Sequence, residues 1–340
     1  MTGPLPPPAA TAPSSTSPAL GEFELIARHF DRPVTGGDGT VVLGVGDDCA
    51  LLAPRPGMQL AISSDMLVEG RHFLSTVDPA RLGHKALAVN LSDLAACGAR
   101  PLGCTLALAL PRADERFLAP FARGLLALAD EHACPLVGGD TTAGPLNLCV
   151  TVFGEVPAGG ALLRSGARAG DDLWVSGTLG DARLALEVLR GTVSLPGQQF
   201  DQVRLALELP QPRVALGLAL RGVASAAIDL SDGLVGDLGH VLRRSNVGAT
   251  LDVDALPRSP VLRAQAPALQ QLCLLSGGDD YELLFTAPPA ARTRLHEIEA
   301  ATGLALTRVG RIDAEPGLRL LDRHGAAVDW QGASFDHFRS

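Results

Sequence analysis

Five groups of aspartates stand at the edges of apolar or glycine-rich segments of this chain. They are Gly46-Asp47-Asp48, Ser63-Ser64-Asp65, Asn90-Leu91-Ser92-Asp93, Gly138-Gly139-Asp140-Thr141-Thr142 and Asp229-Leu230-Ser231-Asp232-Gly233. A carboxylate beside apolar sequence is costly unless a positive charge neutralises it, and no basic residue is interleaved with these groups. A hard cation is the natural partner, because Mg²⁺ takes oxygen ligands from carboxylates and from substrate phosphates. The pattern therefore predicts an enzyme that uses Mg²⁺ and a nucleotide.

Each group alone also has an ordinary explanation, such as an acidic turn at Asp47-Asp48 or a helix cap at Ser63-Ser64-Asp65. Asp93 is a poor choice in the middle of a helix among leucines and alanines, which favours a ligand. The glycines at 138–139 let the backbone approach an anion closely, and a helix opened by Gly233 presents free N–H groups to phosphate. The five groups together favour one shared site for phosphoryl transfer.

Composition narrows the class of protein. The 340 residues are 46% hydrophobic, which is typical of a globular chain long enough for two domains. The net charge of -9 argues against a nucleic-acid partner, and no apolar run is long enough to predict a membrane span. Lys85, the one lysine, does not stand in a Walker-type phosphate loop. Six cysteines without C-x-x-C spacing, together with no signal peptide, predict a reducing, cytoplasmic location.

The elements that must position the aspartates mix strands and helices throughout, so the predicted fold class is α/β (α+β). Strands are predicted at 41–45, 59–63, 102–110, 146–155, 172–176, 226–230, 251–253 and 282–286. Helices are predicted at 22–30, 81–97, 113–132, 182–190, 234–245 and 290–302. Three regions follow, namely a disordered tail over 1–20, an N-terminal domain over 21–157 and a C-terminal domain over 161–340.

Several longer motifs, taken in order, resemble the thiamine-monophosphate kinases of the aminoimidazole ribonucleotide synthetase superfamily. They include Gly44-Val45-Gly46-Asp47-Asp48-Cys49-Ala50, Lys85-Ala86-Leu87-Ala88-Val89-Asn90-Leu91-Ser92-Asp93, Leu163-Arg164-Ser165-Gly166-Ala167 and Ser276-Gly277-Gly278-Asp279-Asp280-Tyr281-Glu282-Leu283. The resemblance covers everything except the N-terminal tail. It implies ATP-dependent phosphorylation of thiamine monophosphate to thiamine diphosphate with several Mg²⁺ ions. It also implies a two-domain homodimer whose N-terminal sheets pair into a β-barrel across the dimer.

The resemblance implies a role for each matching residue. The implied metal ligands are Asp48, Ser63, Ser64, Asp65, Asp93, Asp140, Asp229 and Asp232. The residues implied to meet ATP are Gly139, Asp140, Arg164 and Ser231. Those implied to meet thiamine monophosphate are His72, Asp279 and Trp330. No general base is expected, because the acceptor phosphate is already anionic and the reaction needs charge neutralisation and in-line placement.

Two other interpretations remain open. One is another member of the superfamily: aminoimidazole ribonucleotide synthetase, selenide water dikinase or the carbamoyl-dehydrating hydrogenase maturation protein. The chain ends Phe338-Arg339-Ser340, without the C-terminal cysteine of the maturation protein, and residues 1–22 hold no cysteine like that of the dikinase. The other interpretation is a regulatory protein that binds Mg-nucleotide without turnover, and formation of thiamine diphosphate separates it from a kinase.

Overall fold

The computed structural model describes residues 21–32, 39–330 and 332. The predicted disordered tail over 1–20 lies outside these residues. Within them the α-helices are α1 Glu22–His29, α2 Pro79–Ala96, α3 Glu115–Glu131, α4 Asp181–Leu189, α5 Gly197–Glu208, α6 Val214–Leu220, α7 Leu234–Ser245, α8 Pro260–Arg263, α9 Pro267–Ser276 and α10 Arg292–Thr302. The strands are β1 Val41–Leu43, β2 Leu51–Leu52, β3 Met58–Val68, β4 Arg100–Leu110, β5 Leu136–Ala143, β6 Asn147–Pro157, β7 Asp172–Ser176, β8 Ala226–Asp229, β9 Gly248–Asp252, β10 Leu283–Ala287, β11 Leu306–Asp313 and β12 Gly317–Leu321.

The strands form two main sheets, one in each half of the chain. The four-stranded sheet has the order β3-β6-β4-β5, in which only β4 and β5 are parallel neighbours. The six-stranded sheet has the order β12-β9-β11-β7-β10-β8, in which only β12 and β9 are parallel. The mixed α/β class is therefore confirmed, while the domain limits 21–157 and 161–340 stay a prediction. No helix in the described part of the chain has the length and apolar character needed to cross a bilayer.

Helix α2 contacts elements of both halves of the chain, including β3, β6, β8, α3 and α6. It begins where the Asp78 carboxylate accepts hydrogen bonds from the N–H groups of Ala80 and Arg81, at 2.8 and 3.2 Å. Its leucines are almost fully buried. An added Cβ at Gly124 of α3 would lie 1.8 Å from the Ala80 carbonyl oxygen, so glycine lets the two helices touch. Residues of α2 are thereby carried to the border between the two sheets.

The four-stranded sheet has one covered and one open face. Side chains alternate along β3, so that Leu67 is buried beneath the sheet while Leu60, Ile62 and Met66 point the other way. These three side chains are 50%, 60% and 53% exposed. A row of large apolar side chains on an open sheet face is typical of an interaction surface.

Two strands run further than the sequence predicts, and both carry site residues. The predicted strand 59–63 leaves Ser64 and Asp65 at its carboxyl end, but β3 continues to Val68 because residues 64–68 pair with β6. No strand is predicted over 138–142, but the segment lies within β5, paired in parallel with β4. In both cases pairing with a neighbouring strand outweighs the weak local strand propensity of serine, aspartate and glycine.

Candidate active site

Most of the site residues that the sequence predicts line one cavity of about 700 Å³, here called cavity A. Its walls come from β3, α2, the turn after β8 and the turn before β10. From the predicted set it contains Asp65, His72, Asp93, Arg164, Asp229, Ser231, Asp232 and Asp279. Residues from both halves of the chain therefore share one cavity.

Asp65 and Asp93 come from β3 and α2, which are joined by side-chain hydrogen bonds. Ser63 Oγ donates to Asp93 Oδ2 at 2.5 Å, and the Asp65 N–H donates to Asn90 Oδ1 at 3.0 Å. Ser63 and Asp65 share one face of the strand, as their alternation predicts. Asn90 is fully buried, and through its hydrogen bond with the Asp65 N–H it holds β3 against α2.

Asp229 and Asp232 lie at the end of β8 and in the turn that follows it. The buried Asp229 carboxylate accepts a hydrogen bond from Ser92 Oγ at 2.8 Å, which joins β8 to α2. The N–H groups of Asp232 and Gly233 both donate to Asp237 Oδ2 at 3.1 Å. Asp237 of α7 thus satisfies the two N–H groups that precede the helix, while the prediction that the first turn of α7 presents free N–H groups to phosphate stays a prediction.

The turn that carries Asp279 is fixed beside Ser231. The Asp279 N–H donates to the Ser231 carbonyl at 2.9 Å, and the Tyr281 N–H donates to the Leu230 carbonyl at 2.8 Å. Asp279 and Tyr281 have φ angles of 66° and 50°, which are uncommon for residues other than glycine. Asp279 Oδ1 accepts from the Tyr281 hydroxyl at 3.3 Å and lies 2.9 Å from Lys85 Nζ.

The carboxylates of cavity A have raised pKa values because they are buried near one another. Burial, helped by the charges of Asp93 and Asp232, raises the pKa of Asp65 to about 6. Burial, followed by the charge of Asp93, raises the pKa of Asp229 to about 8. Burial also raises the pKa of Asp93, although the Ser63 hydrogen bond and the Arg164 charge oppose it. A cation relieves the same repulsion that protonation relieves.

The donor atoms of cavity A suit Mg²⁺, because they are carboxylate and hydroxyl oxygens. Within residues 21–32, 39–330 and 332, no three His, Cys, Asp or Glu side chains lie close enough together to hold a metal ion as they stand. The fit with Mg²⁺ therefore depends on the type of donor and on the unfavourable clustering of charge at Asp65, Asp93 and Asp229.

Basic side chains distant in sequence also line cavity A. They are Arg71, Lys85, Arg164, Arg183 and Arg190. His72 Nδ1 accepts a hydrogen bond from the Val68 N–H at 3.0 Å, so the neutral ring carries its proton on Nε2. The spacing of the aspartate groups does not predict this positive lining, which lets the cavity accept phosphate as well as cations.

Asp48, Gly139 and Asp140 line a second cavity of about 990 Å³, here called cavity B. It lies on the open face of the four-stranded sheet, and its apolar wall includes Ile26, Phe30, Leu60, Ile62 and Phe153. An added Cβ at Gly139 would lie 2.0 Å from the Leu106 carbonyl oxygen, so only glycine lets β5 pass this close to β4. Apolar side chains beside glycine backbone and carboxylates suit a nucleotide with its base and phosphates.

Ser63, Ser64 and Trp330 are not among the residues that line either cavity. Ser64 Oγ lies on the open sheet face, 2.9 Å from Thr151 Oγ1. Trp330 packs against the core of the C-terminal half, and its buried Nε1 has no hydrogen-bond partner among the described residues. The predicted roles of Ser64 as a metal ligand and of Trp330 at the substrate stay predictions.

Three further polar residues of cavity A or its rim, namely Lys85, Tyr281 and Asp237, are not predicted as site residues by the sequence. Helical spacing could have indicated that Lys85 faces the site. Lys85, Val89 and Asp93 stand at i, i+4 and i+8 on one face of α2, and all three line cavity A. No such periodicity marks Tyr281 or Asp237.

Protein-family models match both halves of the chain. Residues 46–156 match the N-terminal domain of AIR synthase related protein, and residues 168–323 match its C-terminal domain. The thiamine-monophosphate kinase of Salmonella typhimurium is 48% identical over 325 residues, which cover 94% of this chain and 99% of the relative.

Solved structures are similar over most of the chain. The crystal structure of thiamine-monophosphate kinase from Stenotrophomonas maltophilia K279a has a TM-score of 0.83 at 48% identity, covering 91% of this chain and 98% of that one. The structure of AaThiL complexed with AMPPCP and TMP has a TM-score of 0.73 at 30% identity, covering 84% of this chain and 89% of that one. The similarity is thus not confined to one half of the chain.

Proposed function

The chain belongs to the thiamine-monophosphate kinases among the AIR synthase related proteins, and from this membership we propose that it transfers the γ-phosphate of ATP to thiamine monophosphate, forming thiamine diphosphate. The observation that carries the proposal is cavity A, which gathers Asp65, Asp93, Asp229 and Asp232 from both halves of the chain beside Arg164. Joining two anionic reactants requires such a concentration of cation-binding groups.

Mg²⁺ is the proposed cofactor, in several ions. The oxygen-only donor set and the raised pKa values of Asp65 and Asp229 support it. The residues proposed to hold the ions are Asp65, Asp93, Asp229 and Asp232 in cavity A, Asp48 and Asp140 in cavity B, and the hydroxyls of Ser63 and Ser64. When bound, Mg²⁺ supplies the positive charge that lets two phosphate groups approach each other.

The side chains proposed to bind ATP lie in both cavities. Gly139 removes the side chain that would keep a phosphate from the β5 backbone, and Asp140 follows it in the same strand. Arg164 acts on the pKa of Asp93 through its charge, so it is near enough to steady a phosphate held there. Ser231 lines the same cavity and is proposed to donate its hydroxyl to ATP.

Thiamine monophosphate is proposed to bind in cavity A. His72 lines this cavity and is proposed to bond an anionic phosphate oxygen of the substrate. Asp279 offers a carboxylate to the cationic end of the substrate, and Trp330 is proposed from the family to stack on its rings. The attacking phosphate oxygen is anionic near neutral pH, so placement and charge neutralisation replace a general base.

We also propose that the protein is a cytoplasmic homodimer. The open face of the four-stranded sheet supports a second copy as the partner, because Leu60, Ile62 and Met66 are each at least half exposed there. The buried free thiols of Cys104, Cys134 and Cys273 support a reducing compartment.

Incubation of the purified protein with ATP, thiamine monophosphate and Mg²⁺ is expected to form thiamine diphosphate and ADP in equal amounts. Excess EDTA is expected to stop the reaction. Tight ATP binding without product would contradict the proposal and favour a nucleotide-binding regulator. Product from a different acceptor, with none from thiamine monophosphate, would favour another activity of the superfamily.

A further inference from the structure

Lys85, a buried lysine of cavity A that is paired with Asp279, has no role in the function proposed above. The Lys85 side chain is 4% exposed, and its Nζ lies 2.9 Å from Asp279 Oδ1. A lysine is rarely buried unless its charge is paired, and this is the only lysine of the chain. Both partners line cavity A, so the pair faces the space in which substrate is proposed to bind.

The position of Lys85 on α2 separates it from the metal-binding aspartates. Eight residues of helix place Lys85 about 12 Å along the axis from Asp93. The charges that shift the pKa values of Asp65, Asp93 and Asp229 include Arg164 and other aspartates, but not Lys85. The ion-pair partner of Lys85 is Asp279, in the turn that the hydrogen bond to Ser231 fixes.

Two donors hold the same oxygen atom of Asp279. Lys85 Nζ and the Tyr281 hydroxyl both contact Oδ1. Burial raises the pKa of the Tyr281 phenol well above its usual value, so the hydroxyl keeps its proton and donates. Oδ2 of Asp279 makes no hydrogen bond within the described residues. It is the oxygen left for a ligand, on a backbone that the hydrogen bond to Ser231 holds in place.

The chemistry of thiamine monophosphate fits this arrangement. Its phosphate is anionic and belongs near Arg164 and the cation-binding aspartates, so its rings extend towards Asp279. The rings carry an amino group that donates hydrogen bonds and a thiazolium that is positively charged, and both are suited to a carboxylate oxygen. A bare lysine ammonium would repel the thiazolium, but an ammonium paired with Asp279 does not.

Building on the function proposed above, we propose that Lys85 is a positioning residue for thiamine monophosphate. Together with Tyr281 it fixes Oδ1 of Asp279, so that Oδ2 points into cavity A and accepts from the ring end of the substrate. Without Lys85 the carboxylate is free to rotate, and part of the binding free energy is lost in ordering it again.

The test is a double-mutant cycle of Lys85→Met and Asp279→Asn, read by direct binding of thiamine monophosphate and by steady-state kinetics. Lys85→Met is expected to weaken binding of thiamine monophosphate, and to raise its KM, by about tenfold. The KM for ATP and kcat are expected to change by less than about threefold, because the interaction is made equally in the ground and transition states. In the Asp279→Asn background, Lys85→Met is expected to have little further effect.

Two additional variants keep the test interpretable. Tyr281→Phe removes only the hydroxyl that contacts Asp279 Oδ1, and it is expected to weaken binding of thiamine monophosphate in the same direction, even if Lys85→Met fails to fold. Arg292→Met removes one of the two arginines paired with the buried Asp172 carboxylate, with Arg292 Nε 2.6 Å from Asp172 Oδ2, outside cavity A. It is expected to leave binding of thiamine monophosphate unchanged.

The same measurements distinguish failure of this proposal from failure of the proposed function. A loss of affinity from Lys85→Met that is equal in both backgrounds overturns the role of Lys85, and so does a fall in kcat with unchanged binding. Binding of ATP and thiamine monophosphate without formation of thiamine diphosphate overturns the kinase function, while the binding cycle still tests Lys85. A wild-type protein that does not bind thiamine monophosphate overturns both.

Discussion

The aspartates of cavity A make stability depend on pH and on divalent cations. The pKa values of Asp65 and Asp229 are about 6 and about 8 in the folded chain, above the ordinary value of 3.8. Between about pH 4 and pH 8 these two carboxyl groups therefore bind more protons in the folded chain than in the unfolded chain, so their contribution to stability falls as pH rises. In EDTA, we expect urea titrations to give a lower free energy of unfolding at about pH 8 than at about pH 5.5. We expect Mg²⁺ to increase the free energy of unfolding more at about pH 8 than at about pH 5.5.

Matched variants isolate the aspartate contribution to this pH dependence. Burial lowers the pKa values of His84, His132 and His240, which gives an opposite slope near neutral pH, so the wild type alone is not sufficient. Asp229→Asn does not ionise and is expected to reduce the aspartate slope and the Mg²⁺ effect, while Asp65 and Asp237 keep their share of the slope. Asp201→Asn, at an exposed position on α5, is expected to keep both. An unchanged slope in Asp229→Asn would contradict the explanation.

Asp93 is expected to be needed for phosphoryl transfer but not for folding. Asp93→Asn keeps the size of the side chain and an oxygen that accepts from Ser63, but it removes the charge. We expect kcat to fall on the order of 10²-fold or more. We expect the free energy of unfolding to stay the same or to increase, because a buried carboxylate with a raised pKa is gone. Steady-state kinetics and urea unfolding on one preparation measure kcat and the free energy of unfolding. Full activity of Asp93→Asn would remove Asp93 from the proposed metal ligands.

The sequence identifies the charged residues of cavity A better than it identifies their partners. Asp65, Asp93 and Asp232 are predictable, because a carboxylate beside apolar sequence has a cost that calls for an explanation. Asp237 is not predictable as a site residue, because an acid in the first turn of a helix is ordinary. Only the folded structure shows that its carboxylate accepts a hydrogen bond from the Asp232 N–H and so holds that turn. Lys85 pairs with Asp279, which is distant in sequence, so no local sequence pattern predicts this contact.

At the level of elements, strand β5 depends on the absence of a side chain at residue 139. An added Cβ there would lie 2.0 Å from the Leu106 carbonyl oxygen. Gly139→Ala is therefore expected to push β5 away from β4, to lower the free energy of unfolding by about 1–3 kcal/mol and to raise the KM for ATP. Gly144→Ala, just after the same strand, would meet Ala109 Cβ at an ordinary 3.6 Å and is expected to change neither. An unchanged KM for ATP in Gly139→Ala would argue against ATP in cavity B.

Elements with a clear period and clear end signals are predictable, and those defined by their neighbours are not. The predicted limits of α7 and β7 agree with the structure at both ends. Helices α5, α6 and α9 and strands β11 and β12 are not predicted. Helix α9 is rich in leucine on more than one side, so it lacks the polar face that marks a surface helix. The carboxyl end of β3 depends on how far β6 runs beside it, and local strand propensity does not predict that pairing.

At the scale of the whole molecule, the predicted site residues other than Ser63, Ser64 and Trp330 divide between cavities A and B. The sequence predicts which carboxylates require a cation, but their convergence depends on how two sheets and α2 pack together. Strand β3 links cavity A to the open face of the four-stranded sheet, because its side chains alternate between the two. Ser63 and Asp65 lie on the face towards α2 and cavity A, while Ile62 and Ser64 lie on the open face. A partner bound to the open face would therefore contact β3, the strand that carries the proposed metal ligand Asp65.

The proposed dimer is tested by placing a charge on this open face. Ile62 is 60% exposed within the row that includes Leu60 and Met66, so a buried glutamate there would carry an uncompensated charge. Light scattering is expected to give the wild type twice the 35.1 kDa chain mass, and Ile62→Glu the mass of one chain. Leu205→Glu, at a site 44% exposed on α5, is expected to leave the dimer intact. A single-chain mass for the wild type would contradict the dimer. The activity of Ile62→Glu is expected to fall as well, both because β3 loses the partner that holds its outer face and because Ile62 lines cavity B, so the mass and not the activity tests the dimer.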